Sequence, residues 1–181
     1  MDFKTVFTKL LTSFQEQNIR YALMGGFAMG LWGGLRATVD LDFLIHKADM
    51  DKVHAIMTNF QYECRHRTEN VSQYISPLRI MGEVDFLHAF RKVSLEMLQR
   101  AEDKNIFGGS LMVKTLRPED LIGLKLQAIK NNPKREENDL ADIRMLIQVQ
   151  KDILDWELIS GYCDILKMYD MCEKLRADAE G

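Results

Sequence analysis

Two glycines and two aspartates set in apolar sequence constrain this chain more than any other feature. An apolar run from Ile19 to Met24 reaches Gly25-Gly26, and a short helical segment follows. The chain then passes through Arg36 and Thr38 into a second apolar run that carries Asp40 and Asp42. The pattern predicts strand, glycine turn, short helix, strand. Side chains alternate along a strand, so Asp40 and Asp42 share one face, with Cα atoms about 6.5–7 Å apart. Val39, Leu41 and Phe43 are expected on the other face, toward the core. Two like charges side by side repel, and a hard divalent cation such as Mg²⁺ takes oxygen ligands of this kind. An acidic, solvent-facing strand also fits Asp-x-Asp, and the motif alone does not establish a metal site.

Its neighbourhood adds a second chemistry. Gly25 and Gly26 follow a predicted strand and lead into a helix, where residues without side chains let backbone N–H groups approach a phosphate. The alternative is an ordinary tight turn. A phosphate cradle beside paired carboxylates suits phosphoryl or nucleotidyl transfer.

Along the rest of the chain, Phe3, Val6, Phe7, Leu10, Leu11 and Phe14 have the spacing of an amphipathic helix over 3–17, and residues 48–60 repeat it. Strands are predicted over 62–68 and 71–76 around a Glu69-Asn70 turn, and over 79–88. In the last of these Ile80, Gly82, Val84, Phe86 and His88 fall on one face, and Met81, Glu83, Asp85 and Leu87 on the other. Asp85 thus lies inside an apolar strand, where the plain reading is a carboxylate facing solvent. Arg65, His66 and Arg67 form a small basic cluster, read as a solvated face or a phosphate contact. A helix is expected over 93–101, a glycine turn at Gly108-Gly109 and a strand over 111–115. Another helix runs from Pro118 to about Asn131, its acidic first turn favoured by the helix dipole.

Two charges then fall on apolar helix faces. At about 100° per residue, Leu121, Ile122, Leu124, Ala128 and Ile129 make one stripe, with Lys125 in its middle and Gly123, Gln127 and Lys130 opposite. On a next helix wound from Asn138, Leu140, Ile143, Leu146 and Ile147 form the apolar face. Asp139 falls within that face and Asp142 on its shoulder. Buried charges need partners. Either Lys125 and Asp139 pair between neighbouring helices, or both point into a cleft where Lys125 meets nucleotide phosphates.

Composition narrows the class. With 24 basic and 27 acidic side chains the net charge is −3, which argues against broad coating of nucleic acid while allowing a local basic patch. Cys64, Cys163 and Cys172 show no CxxC spacing, and the last two are expected in one helix, too far apart to pair. A reducing, cytoplasmic compartment fits. The N-terminal segment, broken by Asp2, Lys4 and Lys9, is read as neither signal peptide nor membrane span. The segment 153–177 is expected as one or two helices that cap the core or make a homodimer contact.

The run GGFAMGLWGGLRATVDLDFLI resembles the first motif of the DNA polymerase β-type nucleotidyltransferase superfamily, most closely the branch of AbiEii-like proteins and small antibiotic nucleotidyltransferases. The matching residues are Gly25, Gly26, Arg36, Thr38, Asp40 and Asp42, with Gly26 where many members carry serine. LRPEDLIGLKLQAIK and REENDLADIRML resemble later motifs of that branch through Lys125, Asp139 and Asp142. They depart from it in Glu136 and Glu137, two extra acids that would disfavour a triphosphate unless they face solvent.

The resemblance implies an α+β fold: a mixed, mostly antiparallel sheet of about five strands flanked by helices. A core over 1–116 would carry a C-terminal helical region over 117–181 packed on it as a single unit. It implies a metal-dependent nucleotidyltransferase moving an NMP from an NTP to an acceptor hydroxyl. Asp40, Asp42 and Asp85 would hold two Mg²⁺ ions (or Mn²⁺), and Asp85 would help deprotonate the acceptor. Gly25, Gly26, Arg36, Thr38 and Lys125 would bind nucleotide, with Asp139 orienting Lys125. The acceptor would be RNA, a protein or a small molecule, with a toxin role and an antitoxin partner among the implications. The rival reading is a non-catalytic nucleotide-binding or regulatory protein on the same fold.

Overall fold

The computed structural model describes residues 1–35 and 37–180, so the expectation for Arg36 lies outside the described residues. The chain divides into two compact units, Met1–Ala28 with Arg36–Leu116, and Met29–Leu35 with Arg117–Gly181.

The first unit is an α+β structure. In chain order it holds α1 (Phe3–Glu16), β1 (Tyr21–Met24), the start of α2 (Gly25–Leu31), β2 (Asp40–His46), α3 (Met50–Asn59), β3 (Glu63–Arg67), β4 (Val71–Ile75), β5 (Glu83–Ala89), α4 (Lys92–Arg100), β6 (Glu102–Ile106) and β7 (Leu111–Thr115). The strands form one mixed sheet in the order β3-β4-β5-β2-β1-β7-β6. Among the described residues there are thus seven strands rather than about five. β2 runs parallel to β5 and β1 parallel to β7, while the other pairs are antiparallel.

The alternation in β2 decides which way its charges face. Leu41, Phe43 and Ile45 are buried on one side, and Asp40 and Asp42 are half-buried on the other. Phe43 anchors the strand through rings from α1: its centroid lies 6.1 Å from Phe7 and 5.7 Å from Phe14. It also stacks on Phe86 of β5 at 6.0 Å. Such contacts stabilise beyond the area they bury and fix the strand's orientation. At the start of α1, Asp2 accepts a hydrogen bond from the Thr5 amide at 3.1 Å, satisfying an amide that has no partner within the helix.

Four expectations change here. Gly25 opens α2 directly, with no separate turn before it. Val39 precedes β2 and is 79% exposed instead of facing the core. The strand expected over 79–88 begins only at Glu83, because the Met81 amide closes a turn onto the Leu78 carbonyl and Gly82 has a positive φ of 66°. β6, with the sequence EDKNI, was not expected; it is an edge strand paired with β7.

The second unit holds α5 (Pro118–Asn131), α6 (Glu136–Gln150), α7 (Trp156–Leu166) and α8 (Tyr169–Glu180). Gly123, expected on the polar side of α5, is buried under α7, and a Cβ there would lie 2.6 Å from the Tyr162 ring. The Tyr162 hydroxyl donates to Asp120. Glu119 accepts from the Asp155 amide at 2.9 Å, and the Asp155 side chain in turn caps α7 by accepting from the Leu158 amide at 3.1 Å. Cys163 and Cys172 lie on two successive helices instead of one. Burial, with a hydrogen bond to Cys172, pushes the Cys163 thiol up to about 12. Among the described residues no helix is long and apolar enough to cross a membrane.

Candidate active site

Strand register brings the acids of the first unit together. Asp42 is the partner of Met24 on β1 and of Asp85 on β5, and Asp40 is the partner of Glu83. Register partners on neighbouring parallel strands stand about 4.8 Å apart and point to the same face. Asp40, Asp42, Asp85 and Glu83 therefore form a row of carboxylates across two strands. The first three are half-buried and Glu83 is exposed.

Each acid is held by its surroundings. The Thr38 hydroxyl donates to Asp40 Oδ1 at 2.8 Å. The Gln73 side-chain amide donates to Asp85 Oδ2 at 3.0 Å, from the β4 position directly opposite Asp85. Asp42 rests against Gly25, where a Cβ would come within 2.0 Å of Asp42 Oδ2. Gly25 also has a φ of 66°, in the left-handed region that favours glycine. The glycine is thus required twice over, by its own backbone and by the carboxylate packed on it.

Burial raises the Asp85 carboxyl above the ordinary aspartate value; the Gln73 hydrogen bond opposes the shift, and the charges of Asp40 and Glu83 add to it. A cation would relieve the repulsion that Asp40 and Glu83 exert on Asp85. Among the described residues no three or more His, Cys, Asp or Glu side chains are arranged so that together they could hold a metal ion. The acids instead form an open row of hard oxygen donors, the donor set that Mg²⁺ takes while keeping several waters. In chemistry, the residues fit such an ion.

Lys125, Asp139 and Asp142 come together within the second unit. The Lys125 ammonium donates to Asp139 Oδ1 at 3.0 Å and to Asp142 Oδ2 at 2.5 Å, and Arg135 Nε donates to Asp139 Oδ2 at 2.9 Å. Of the two arrangements open in the sequence, the ion pair between neighbouring helices is present, with Asp142 as a further partner. Burial works against charge on Asp139, yet the Arg135 and Lys125 hydrogen bonds outweigh it and hold the carboxyl below its ordinary value. Glu136 and Glu137 are exposed.

Glu83 and Gln73 were not singled out from the sequence. The alternation that places Asp85 also places Glu83 on its face, so that signal was present. Gln73 emerges only from the register of β4 on β5, which a single sequence does not carry. Of the Arg65, His66 and Arg67 cluster, Arg65 pairs with Glu63 at 3.3 Å and Arg67 with Asp51 at 3.0 Å on an exposed edge strand.

A family described as uncharacterised nucleotidyltransferase matches residues 4–176. No curated protein matches the chain in sequence. Among solved structures, the chain is similar to the antibiotic-resistance factor ANT(2'')-Ia, at 14% identity and a TM-score of 0.66, covering 98% of each chain. It is also similar to the lincosamide antibiotic adenylyltransferase LnuA with lincomycin bound, at 14% identity and a TM-score of 0.57, covering 80% of this chain and 96% of that one. An antigenic nucleotidyltransferase-like protein from Paracoccidioides brasiliensis is 23% identical, with a TM-score of 0.58, covering 97% of this chain and 93% of that one. At these identities the likeness establishes a shared fold.

Proposed function

Because the chain belongs to the family of uncharacterised nucleotidyltransferases, we propose that it moves a nucleoside monophosphate from an NTP to an acceptor hydroxyl and releases pyrophosphate. One observation carries the proposal. Asp42 stands beside its register partner Asp85, shares a face with Asp40, and packs on a glycine that has no room for a side chain.

In this reading Asp40, Asp42 and Asp85 hold two Mg²⁺ ions, with Mn²⁺ able to substitute. When bound, the ions supply positive charge to the attacking and leaving oxygens of an in-line displacement. Asp85 takes the proton of the acceptor hydroxyl, whose oxygen bonds to the α-phosphorus as the bond to the pyrophosphate oxygen breaks. Gly25 and Gly26 offer backbone N–H groups to the phosphates, and Thr38 acts through the carboxylate of Asp40.

Placement in an AbiEii-like or antibiotic nucleotidyltransferase-like branch belongs to the same proposal. It rests on Gly25-Gly26, Asp40-Leu41-Asp42, Lys125 and Asp139. The branch sets the acceptor classes to be tried: RNA or protein for a toxin, a drug-like alcohol for a resistance enzyme.

The test is incubation with each of four NTPs labelled at the α-phosphate, with Mg²⁺ and a cell extract or a panel of hydroxylated antibiotics. Label in one fraction, matched by pyrophosphate release, supports transfer and identifies the acceptor. Metal-dependent NTP binding without any labelled product would support the non-catalytic reading. Release of free phosphate instead of pyrophosphate would identify a different phosphoryl chemistry.

A further inference from the structure

We propose that Gln73 is a positioning residue for Asp85, fixing one carboxylate oxygen so that the other is offered to a divalent cation. The inference rests on reading the acid row as a metal site, and it concerns a residue outside the motifs.

Gln73 faces Asp85 across the antiparallel β4–β5 pair and donates to its Oδ2 at 3.0 Å. Its own backbone is held firmly. The flanking residues Ser72 and Tyr74 are 0% and 1% exposed, and each is tied by a hydrogen bond of 2.9 Å, Ser72 to His88 and Tyr74 to His54. The amide therefore starts from a fixed point, and its reach ends at one oxygen of Asp85.

The donor's chemistry matters as much as its place. An amide orients a carboxylate without cancelling its charge, whereas a cation does both. The contrast lies within this chain: Asp139 is gripped by Lys125 and Arg135, while Asp85 takes its hydrogen bond from an amide and Asp40 from the Thr38 hydroxyl. Two acids of the row are thus oriented by neutral groups and keep their charge for a ligand. Groups of this kind, one step removed from a metal, commonly change metal affinity or activity 10–100-fold when removed.

Gln73→Met keeps length and volume and removes the donor at an exposed position, where folding is little affected. Gln73→Lys keeps a donor and adds the charge that the argument excludes, and it carries the test should the Met variant not fold. Two readouts apply to both: Mn²⁺ binding by calorimetry with non-cleavable analogues of the four NTPs, and the kcat–KM split of nucleotidyl transfer. We expect Mn²⁺ affinity and kcat each to fall about tenfold in both variants, with the KM for NTP within about twofold. Wild-type Mn²⁺ affinity in Gln73→Met overturns the inference and leaves the function intact. Wild-type behaviour in Gln73→Lys overturns the requirement for a neutral donor. A wild-type protein that neither binds Mn²⁺ nor transfers label overturns the metal-site reading, and this inference with it.

Discussion

Gly25 carries two constraints that separate experiments can pull apart. Alanine there meets Asp42 Oδ2 at 2.0 Å and sits at a φ of 66°, whereas Gly108, at a φ of 67°, has nothing within 4 Å of an added Cβ. Gly108→Ala should therefore cost only backbone strain, about 1–2 kcal/mol. Gly25→Ala should cost more than this in urea denaturation, and it should also lower transfer at least tenfold by displacing the Asp42 carboxylate. Equal losses of stability with transfer retained would show that the contact is unimportant.

His88 offers a test on stability alone. Its Nδ1–H donates to the Glu69 carbonyl and its Nε2 accepts from the Ser72 hydroxyl, each at 2.9 Å. Burial, helped by the charges of Arg67 and Lys47, lowers its affinity for a proton, although the hydrogen bond to Glu69 opposes the shift. The folded protein keeps the ring neutral below the pH at which an unfolded histidine charges. The stability it contributes is thus complete above about pH 6.5 and is lost as pH falls through the lower folded value. Wild type should lose urea resistance between pH 7 and pH 5, and His88→Gln should show a shallower loss.

At the scale of elements, the Lys125 clamp joins α5 to α6. Lys125→Met would leave Asp142 without the ammonium and Asp139 with Arg135 alone, at a cost of about 3 kcal/mol. Adding Asp142→Leu should restore part of that loss in chemical denaturation. A single variant as stable as wild type would refute the clamp.

Lys125 and Asp139 were legible as charges on apolar helix faces, with pairing as one of two resolutions, whereas the bond from Lys125 to Asp142 emerges only in the structure. β2 and α1 were legible because each has one strongly apolar face, and β1 because it is a continuous apolar run. Other elements left weaker traces. EDKNI has no alternation to mark β6, because an edge strand exposed along most of its length needs none. Residues 79–82 read as strand because Ile80 and Met81 are apolar, yet Gly82 takes a backbone conformation closed to strands. Gly123 has no polarity to read, and only the Tyr162 ring reveals which way it faces. In the candidate site, alternation puts Asp40 and Asp42 on one face, while Asp85 was named through the family resemblance. Gln73 and the contact of Gly25 with Asp42 depend on register between distant segments.

For the whole molecule, the family is that of a nucleotidyltransferase, and the carboxylate row is where its chemistry would reside. A net charge of −3 gives no general attraction for an NTP, so binding must come from local groups and from the cation that accompanies the nucleotide. The central claim is that Asp40, Asp42 and Asp85 make one site for metal and nucleotide. Its most direct test is calorimetric titration of ATP, GTP, CTP and UTP into wild type and Asp42→Asn, each with and without Mg²⁺. The account predicts that at least one nucleotide binds wild type only when Mg²⁺ is present, and that Asp42→Asn abolishes this binding. Binding that ignores Mg²⁺, binding that survives Asp42→Asn unchanged, or no binding by any of the four would contradict it.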